Sequence, residues 1–380
     1  MWPKIDDDSI ERVVDILKSG KLNQWNNNVV KEFEEKFSNK MDCKYGVAVF
    51  NGTVALELCI KALSLKKGDE VIVTPRTFIA SASCCVINKL KPVFVDVDLE
   101  SQNITLENIK EKVNSKTKAI ILVHLAGWPC DVEEICEFAK KNNIYIIEDC
   151  AQAHGAKYKG KSVGSFGDIA AWSFCQDKII STGGEGGMIT TNCEKLFKRA
   201  WSLKDHGKDY DLVFNTEHEF GYKWLHTNIG SNYRMMPIQA AIGIEQLKML
   251  RLYSSIRNTC AKIYNKILSK CKAIIINTPS DDYYHAYYKY YFFIKPEMFK
   301  VSRNTILKEI IDKNIEASIG SCGEIYNERA LIKYKPDDIC INAKQLFDTG
   351  IMVNCYICQV DKIKYNAEEI LKILLKNMIN

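Results

Sequence analysis

Over its first 200 residues the chain alternates short Val- and Ile-rich runs with segments of helical period, and few folds accommodate that rhythm. The apolar runs are "GVAVF" (46–50), "EVIVT" (70–74), "PVFVDV" (92–97), "AIILVHL" (119–125), "IYIIED" (144–149), "IAAWSF" (169–174) and "GMITT" (187–191). Several show no polar alternation, as strands covered on both faces do. Between them lie "TVALELCIKALSL", "TLENIKEKVNS" and "DVEEICEFAKKNN", which read as helices. The pattern predicts an α/β fold with a mainly parallel, seven-stranded sheet between helices. Ligands of such sheets bind beyond the carboxyl ends of the strands. Asn51–Thr53, Asp149 and the segment Ser173–Lys178 are thereby expected at one rim.

A chain of 380 residues exceeds what one core usually serves. A large domain is expected over 1–250, whose N-terminal segment may equally join the second unit, and a smaller C-terminal α+β domain over 251–380. The stretch 200–245 is polar, aromatic and irregular, and reads as long functional loops that cross to another subunit. "PIQAAIGIEQLKML" opens a long helix with Pro237 near its start, running to about residue 270. A net charge of +5 is too thin over this length to argue for nucleic acid. No apolar run approaches the ~18 residues of a membrane span, and the acidic, amphipathic N-terminus is unlike a secretory signal. A cytoplasmic protein is expected. The fifteen cysteines, scattered through apolar runs, read as small buried hydrophobes in a reducing compartment. The Cys355–Cys358 pair lacks the second pair a structural zinc site needs, so no metal is expected.

Three segments carry chemistry. Gly52 and Thr53 follow a strand and open a helix, where free backbone amides form either an anion site or a simple cap. Asp149 ends a strong strand and can hold a cationic ring nitrogen or cap the next segment; Gln152 and His154 follow it. Lys178 stands four residues past "AAWSF", with four glycines close behind in "TGGEGG". Glycines so clustered permit positive φ or a close backbone approach, and a glycine-rich hairpin is the bland alternative. Together the three supply what pyridoxal 5′-phosphate needs: amides and hydroxyls for the phosphate, a carboxylate for the pyridine nitrogen and a lysine for the aldehyde.

On these residues the chain resembles the DegT/DnrJ/EryC1/StrS aminotransferases, the sugar aminotransferases of the fold-type I pyridoxal-phosphate class. The motifs are "NGTVALEL", "VIVTPRTFIASA", "PVFVDVD", "IIEDCAQAHGAKYKGKSVGSFGDIAAWSF", "DKIISTGGEGGMITT", "SLKDHG" and "SNYRMMPIQAAIGIEQL". The resemblance implies a covalent internal aldimine at Lys178, with Asp149 on the pyridinium nitrogen and Gln152 on the ring's phenolic oxygen. Gly52, Thr53 and Ser173 would hold the phosphate, Phe78 would lie against the ring, and His154 and Arg234 would stand near the substrate. Asn232 would reach the phosphate from a neighbouring subunit, which implies a homodimer with shared active sites. L-glutamate or glutamine is the implied amino donor, and the ketone of a nucleotide-linked keto sugar the implied acceptor, in surface-carbohydrate or related biosynthesis. A sister branch has histidine in place of this lysine and performs dehydration, so Lys178 favours transamination over a sugar dehydratase. The C-terminal stretch "TGIMVNCYICQVDKIKYNAEEI" lacks the His-Pro-Thr triplet of many relatives, and Gly323 stands where proline is common. That leaves a small phosphorylated ketone such as dihydroxyacetone phosphate as a rival acceptor. A nicotinamide dehydrogenase would fit the strand–helix alternation but not the missing glycine fingerprint.

Overall fold

A computed structural model describes residues 2–218, 224–356 and 359–379. Cys358, half of the Cys355–Cys358 pair, lies outside them. Seven strands form the large sheet, in the spatial order Tyr45–Val49, Gly187–Thr191, Ile169–Ser173, Tyr145–Asp149, Thr117–Val123, Glu70–Val73 and Lys91–Phe94. Gly187–Thr191 runs antiparallel to both of its neighbours, and every other pairing is parallel. Six strands therefore end at one edge of the sheet, as the apolar runs predict.

Both faces of the sheet are covered. Along Ile169–Ser173, Ile169 and Ala171 enter one apolar cluster while Ala170 and Trp172 enter the other. Ala48 and Met188 point to the second cluster, against Val47, Val49 and Ile189 on the first. This two-sided burial is why the runs lack alternation in sequence. The first cluster is filled by the helices Gly52–Leu63 and Val132–Lys141, through residues such as Leu56, Cys59 and Ile135. The second is filled by Phe33 and Phe37 of Val29–Lys40 and by the start of the long helix Pro237–Leu268. "ASASCCVI", an apolar run without an assigned period, forms the helix Ala80–Ile87. The stretch 200–245 is less irregular than expected at its start, where the helix Glu194–Lys204 extends into it and Tyr210–Phe214 adds a short turn of helix.

The helix Pro237–Leu268 crosses the expected division at residue 250 without a break. Ala240, Ile244 and Leu247 pack in the large-sheet core, while Cys260, Ala261, Tyr264 and Leu268 pack beneath a second sheet. That sheet is antiparallel, in the order Ile274–Ile275, Tyr290–Ile294, Gly350–Val353 and Ala317–Ser318. Its strand Tyr290–Ile294 is wholly buried: Tyr290, Phe292 and Ile294 face the local core, and Tyr291 and Phe293 join the core of the large sheet.

One buried polar group braces the catalytic edge. Glu148 is fully buried and accepts the amides of Gly164 (2.6 Å), Phe166 (2.8 Å) and Gly167 (2.7 Å), plus the His124 Nε2–H at 3.1 Å. His124 Nδ1 accepts the Cys130 amide at 3.0 Å, which fixes the ring's tautomer. Burial pushes the Glu148 carboxyl up, but His124 and the loop amides outweigh it and hold the group below its ordinary value. Cys150 Sγ lies near this pair, yet the oxygens of Glu148 and both ring nitrogens are already engaged. Removing the carboxylate strands four donors, so Glu148→Ala is expected to lower stability by about 3–5 kcal/mol, read as a shifted urea midpoint. Because the folded value is depressed, this contribution exists above the unfolded carboxyl value of about 4.3 and is lost as pH falls through the folded one. The gap between the two proteins should accordingly close in acid.

Candidate active site

A cavity of about 800 Å³ opens at the carboxyl edge of the large sheet, between it and the second sheet. Its phosphate-sized end is built by the start of the helix Gly52–Leu63. Asn51 is extended (φ −161°, ψ 174°) and caps the helix, accepting the Val54 amide at 2.9 Å. The amides of Gly52 and Thr53 precede the first intrahelical donor and line the cavity. The Ser173 hydroxyl stands beside them. Glycine at 52 is required by this approach: a Cβ there would lie 2.5 Å from the Ser173 Cβ.

The floor is Asp149, at the end of its strand. Its carboxylate accepts the Ser81 hydroxyl at 2.7 Å and the Ala151 amide at 3.2 Å. Burial raises this carboxyl above its ordinary value; Ser81, Ala151 and the Lys178 charge offset only part of that. A cation placed over Asp149 from the cavity side would restore the ionised form. Gln152 accepts the Ala126 amide through Oε1 at 2.9 Å, which leaves its NH₂ group unpaired on a residue that lines the cavity. Phe78 also lines it and is 68% exposed, a largely open apolar face.

Lys178 enters from the opposite side, its side chain 17% exposed. Its Nζ donates to the Tyr288 hydroxyl at 3.3 Å and lies 3.8 Å from the Asp177 carboxylate. Tyr288 in turn donates its proton to Asp177. Burial and the adjacent Asp177 push the Tyr288 phenol up, so it remains a neutral donor. Asp177 is held below its ordinary value: burial acts against this, and the Lys178 charge and the Tyr288 hydroxyl outweigh it. The loop behind the lysine turns through Gly183 (φ 88°) and Gly184 (φ 121°), a conformation that side chains with a Cβ avoid. At its start, the Trp2 indole donates to the Lys178 carbonyl at 2.8 Å.

The structure gathers Gly52, Thr53, Phe78, Asp149, Gln152, Ser173 and Lys178 around this one cavity. It does not place His154 there. That ring is fully buried among Phe37, Trp172 and Phe174, and burial together with the Lys178 charge pushes its pKa down to about 3. Arg234 pairs instead with the buried Asp205 at 2.8 Å, away from the cavity lining. Asn232 is exposed and outside the cavity of its own chain. Four residues that the sequence did not reveal complete the site: Ser81 beneath Asp149, and Asp177, Tyr288 and Lys289 around the lysine. Asp177 adjoins Lys178 and was visible in principle. The other three come from distant or apolar segments with no local signal.

An anion cradle whose glycine has no room for a side chain, a buried carboxylate in want of a cation, an unpaired amide and a bare phenyl face fit pyridoxal phosphate. The comparisons agree. The model of the DegT/DnrJ/EryC1/StrS aminotransferase family matches residues 3–356. The chain belongs to that family. As a DegT/DnrJ/EryC1/StrS protein it is a pyridoxal-phosphate-dependent aminotransferase. It is 42% identical over 261 residues to GDP-perosamine synthase of Escherichia coli O157:H7, covering 69% of this chain and 68% of that protein. The solved aminotransferase of Psychrobacter cryohalolentis superposes with a TM-score of 0.96 at 42% identity, over 99% of both chains. An E. coli GDP-4-keto-6-deoxy-D-mannose-3-dehydratase, solved with bound hydrated pyridoxal phosphate, superposes at 0.88 with 27% identity over 96% of this chain and 97% of that one. Within the described residues no helix is long and apolar enough to cross a membrane.

The cradle gives a prediction. Gly52→Ala forces the helix start away from Ser173, since the nearest atom, 2.5 Å away, is the Ser173 Cβ, which cannot rotate aside. The protein should keep its far-ultraviolet circular dichroism yet lose cofactor on gel filtration, with retention measured by absorbance falling at least about tenfold.

Proposed function

We propose that this aminotransferase moves the amino group of L-glutamate or L-glutamine to the ketone of a nucleotide-linked keto sugar. Carrying the proposal is the placement of Lys178 and Asp149 in one cavity, at the edge where the strand Ala317–Ser318 and the segment after it add Ser318, Ser321 and Glu328. Those hydroxyl and carboxylate groups suit a polyhydroxylated ring, and the similarity to GDP-perosamine synthase supports the same acceptor class.

When bound, the cofactor supplies an aldehyde carbon and an electron sink. Lys178 would hold that carbon, and its Nζ, when free, would serve as the base for the donor's α-proton. Tyr288 and Asp177, which contact that nitrogen, would steady it as an ammonium. Asp149 would keep the ring nitrogen protonated, its carboxylate oriented by Ser81. The Gln152 NH₂ would serve the phenolic oxygen, Gly52, Thr53 and Ser173 would hold the phosphate, and Phe78 would shield the ring from water.

We further read the working form as a homodimer. Residues 229–236 run beside Phe50, just ahead of the cradle, joined by the Phe50 amide to the Tyr233 carbonyl at 3.0 Å. Ile229 (95% exposed), Phe50 and Met236 present an apolar face there. A second copy seated on it would bring the partner subunit's Asn232 to the phosphate end. The similar dehydratase keeps a lyase reading alive, and a small phosphorylated ketone remains the rival acceptor.

The test uses the cofactor-loaded chain. L-glutamate or L-glutamine should bleach the yellow lysine-bound form. Product mass after adding GDP-linked or dTDP-linked keto sugars, against dihydroxyacetone phosphate, then names the acceptor; a deoxy sugar without nitrogen would establish the lyase instead. Lys178→Ala should be colourless and inactive. Gln152→Ala should stay yellow and turn over about tenfold more slowly, the scale of one charge-assisted hydrogen bond.

A further inference from the structure

The charges around the cavity are unbalanced. Four carboxylates line it, from Asp149, Asp177, Glu185 and Glu328, against two cations, Lys178 and Lys289, with no arginine among the described lining residues. Once Lys178 holds the cofactor, Lys289 is the one cation left there. Lys289 immediately precedes the buried strand Tyr290–Ile294. Its Nζ donates to Asn354 Oδ1 at 3.0 Å, and Asn354 is held by its NH₂ on the Glu316 carboxylate at 2.6 Å. Among the described residues it has no carboxylate within ion-pair distance, and the Asn354 bond uses one of its three donors on a residue that lines the cavity. A half-buried ammonium with only a neutral partner is costly unless an anion completes it.

The position of Lys289 names that anion. The Lys178 and Lys289 ammonium groups each lie 4.8 Å from the centroid of the Tyr288 ring, so one side chain of the cavity wall contacts both cations. An amino donor must put its nitrogen where the Lys178 nitrogen stands, and its α-carboxylate is then two bonds away. In a sugar whose ketone stands opposite the anomeric carbon, the diphosphate is held a full ring width from the nitrogen that is exchanged. We propose that Lys289 binds a carboxylate of the amino donor. The inference rests on the reading of L-glutamate or L-glutamine as that donor.

The experiment follows the yellow form of the cofactor-loaded chain as Lys289→Met and Lys289→Arg are titrated with L-glutamate, with L-glutamine and with hydroxylamine, which releases the lysine without bringing a carboxylate. In K289M the half-saturating concentration of both amino acids should rise at least about tenfold, the scale of a charge-assisted hydrogen bond. The hydroxylamine curve should not move, and K289R should recover most of the loss. An unchanged amino-acid response in K289M, or an equal shift with hydroxylamine, would overturn the inference alone. A wild-type chain that neither amino acid bleaches would overturn the donor reading and the inference with it.

Discussion

The site depends on how closely the start of one helix can approach the end of one strand. Gly52 lies where any side chain would strike Ser173, and a Cβ on Gly187 would stand 2.4 Å from the Asn51 carbonyl. Two glycines thus let three backbone segments converge within van der Waals contact, and the converging groups are amides and a hydroxyl. Because Tyr45–Val49 and Ile169–Ser173 both pair with the antiparallel Gly187–Thr191, they end at the same edge. The cradle is a consequence of sheet order as much as of the helix that caps it.

From that edge the electrostatics are arranged in depth. Asp149 is held by Ser81, and Ser81 in turn contacts the Thr77 hydroxyl at 2.9 Å. One residue back along the strand, Glu148 points into the protein and fastens the loop Gly164–Gly167. The alternation of a strand therefore divides adjacent carboxylates between chemistry and structure. Asp149 faces the cavity with a raised pKa and takes up a ligand's charge, while Glu148 is satisfied on every side and depressed.

The seven large-sheet strands were legible because each is a Val- or Ile-rich run bounded by turn residues, and burial on both faces leaves such runs unmistakable. Lys178, Asp149 and Gly52 were legible because each lies where a strand ends. His154 shows the limit of motif reasoning. It follows Asp149 and Gln152 in sequence, yet the chain turns at Gly155 (φ 82°) and the ring falls among Phe37, Trp172 and Phe174. The passage from one core to the other, between Tyr253 and Cys260, left no mark either, since it falls inside the unbroken helix Pro237–Leu268. Tyr288 and Lys289 lie more than a hundred residues from Lys178, and Ser81 lies inside an apolar run without an assigned period. Nothing local distinguishes them, because their function comes from tertiary approach alone.

That approach also explains why the reactive lysine belongs to the whole chain. The Lys178 carbonyl is held by the indole of Trp2, whose ring lies 4.8 Å from Tyr253 and stacks on Tyr356 at 5.6 Å. Arg257 stands 5.0 Å over the same ring and donates through Nη1 to the Tyr287 and Tyr288 carbonyls. The Tyr288 side chain then returns to the lysine's own nitrogen. Main chain and side chain of Lys178 are thus fixed from opposite directions by residues from the beginning, the middle and the end of the sequence. Arg257 thereby ties the backbone at Tyr288 to the Trp2 ring, so the contacts that hold the Lys178 carbonyl and those that hold its nitrogen belong to one packed unit. The same packing that closes the protein core therefore sets where the amine stands.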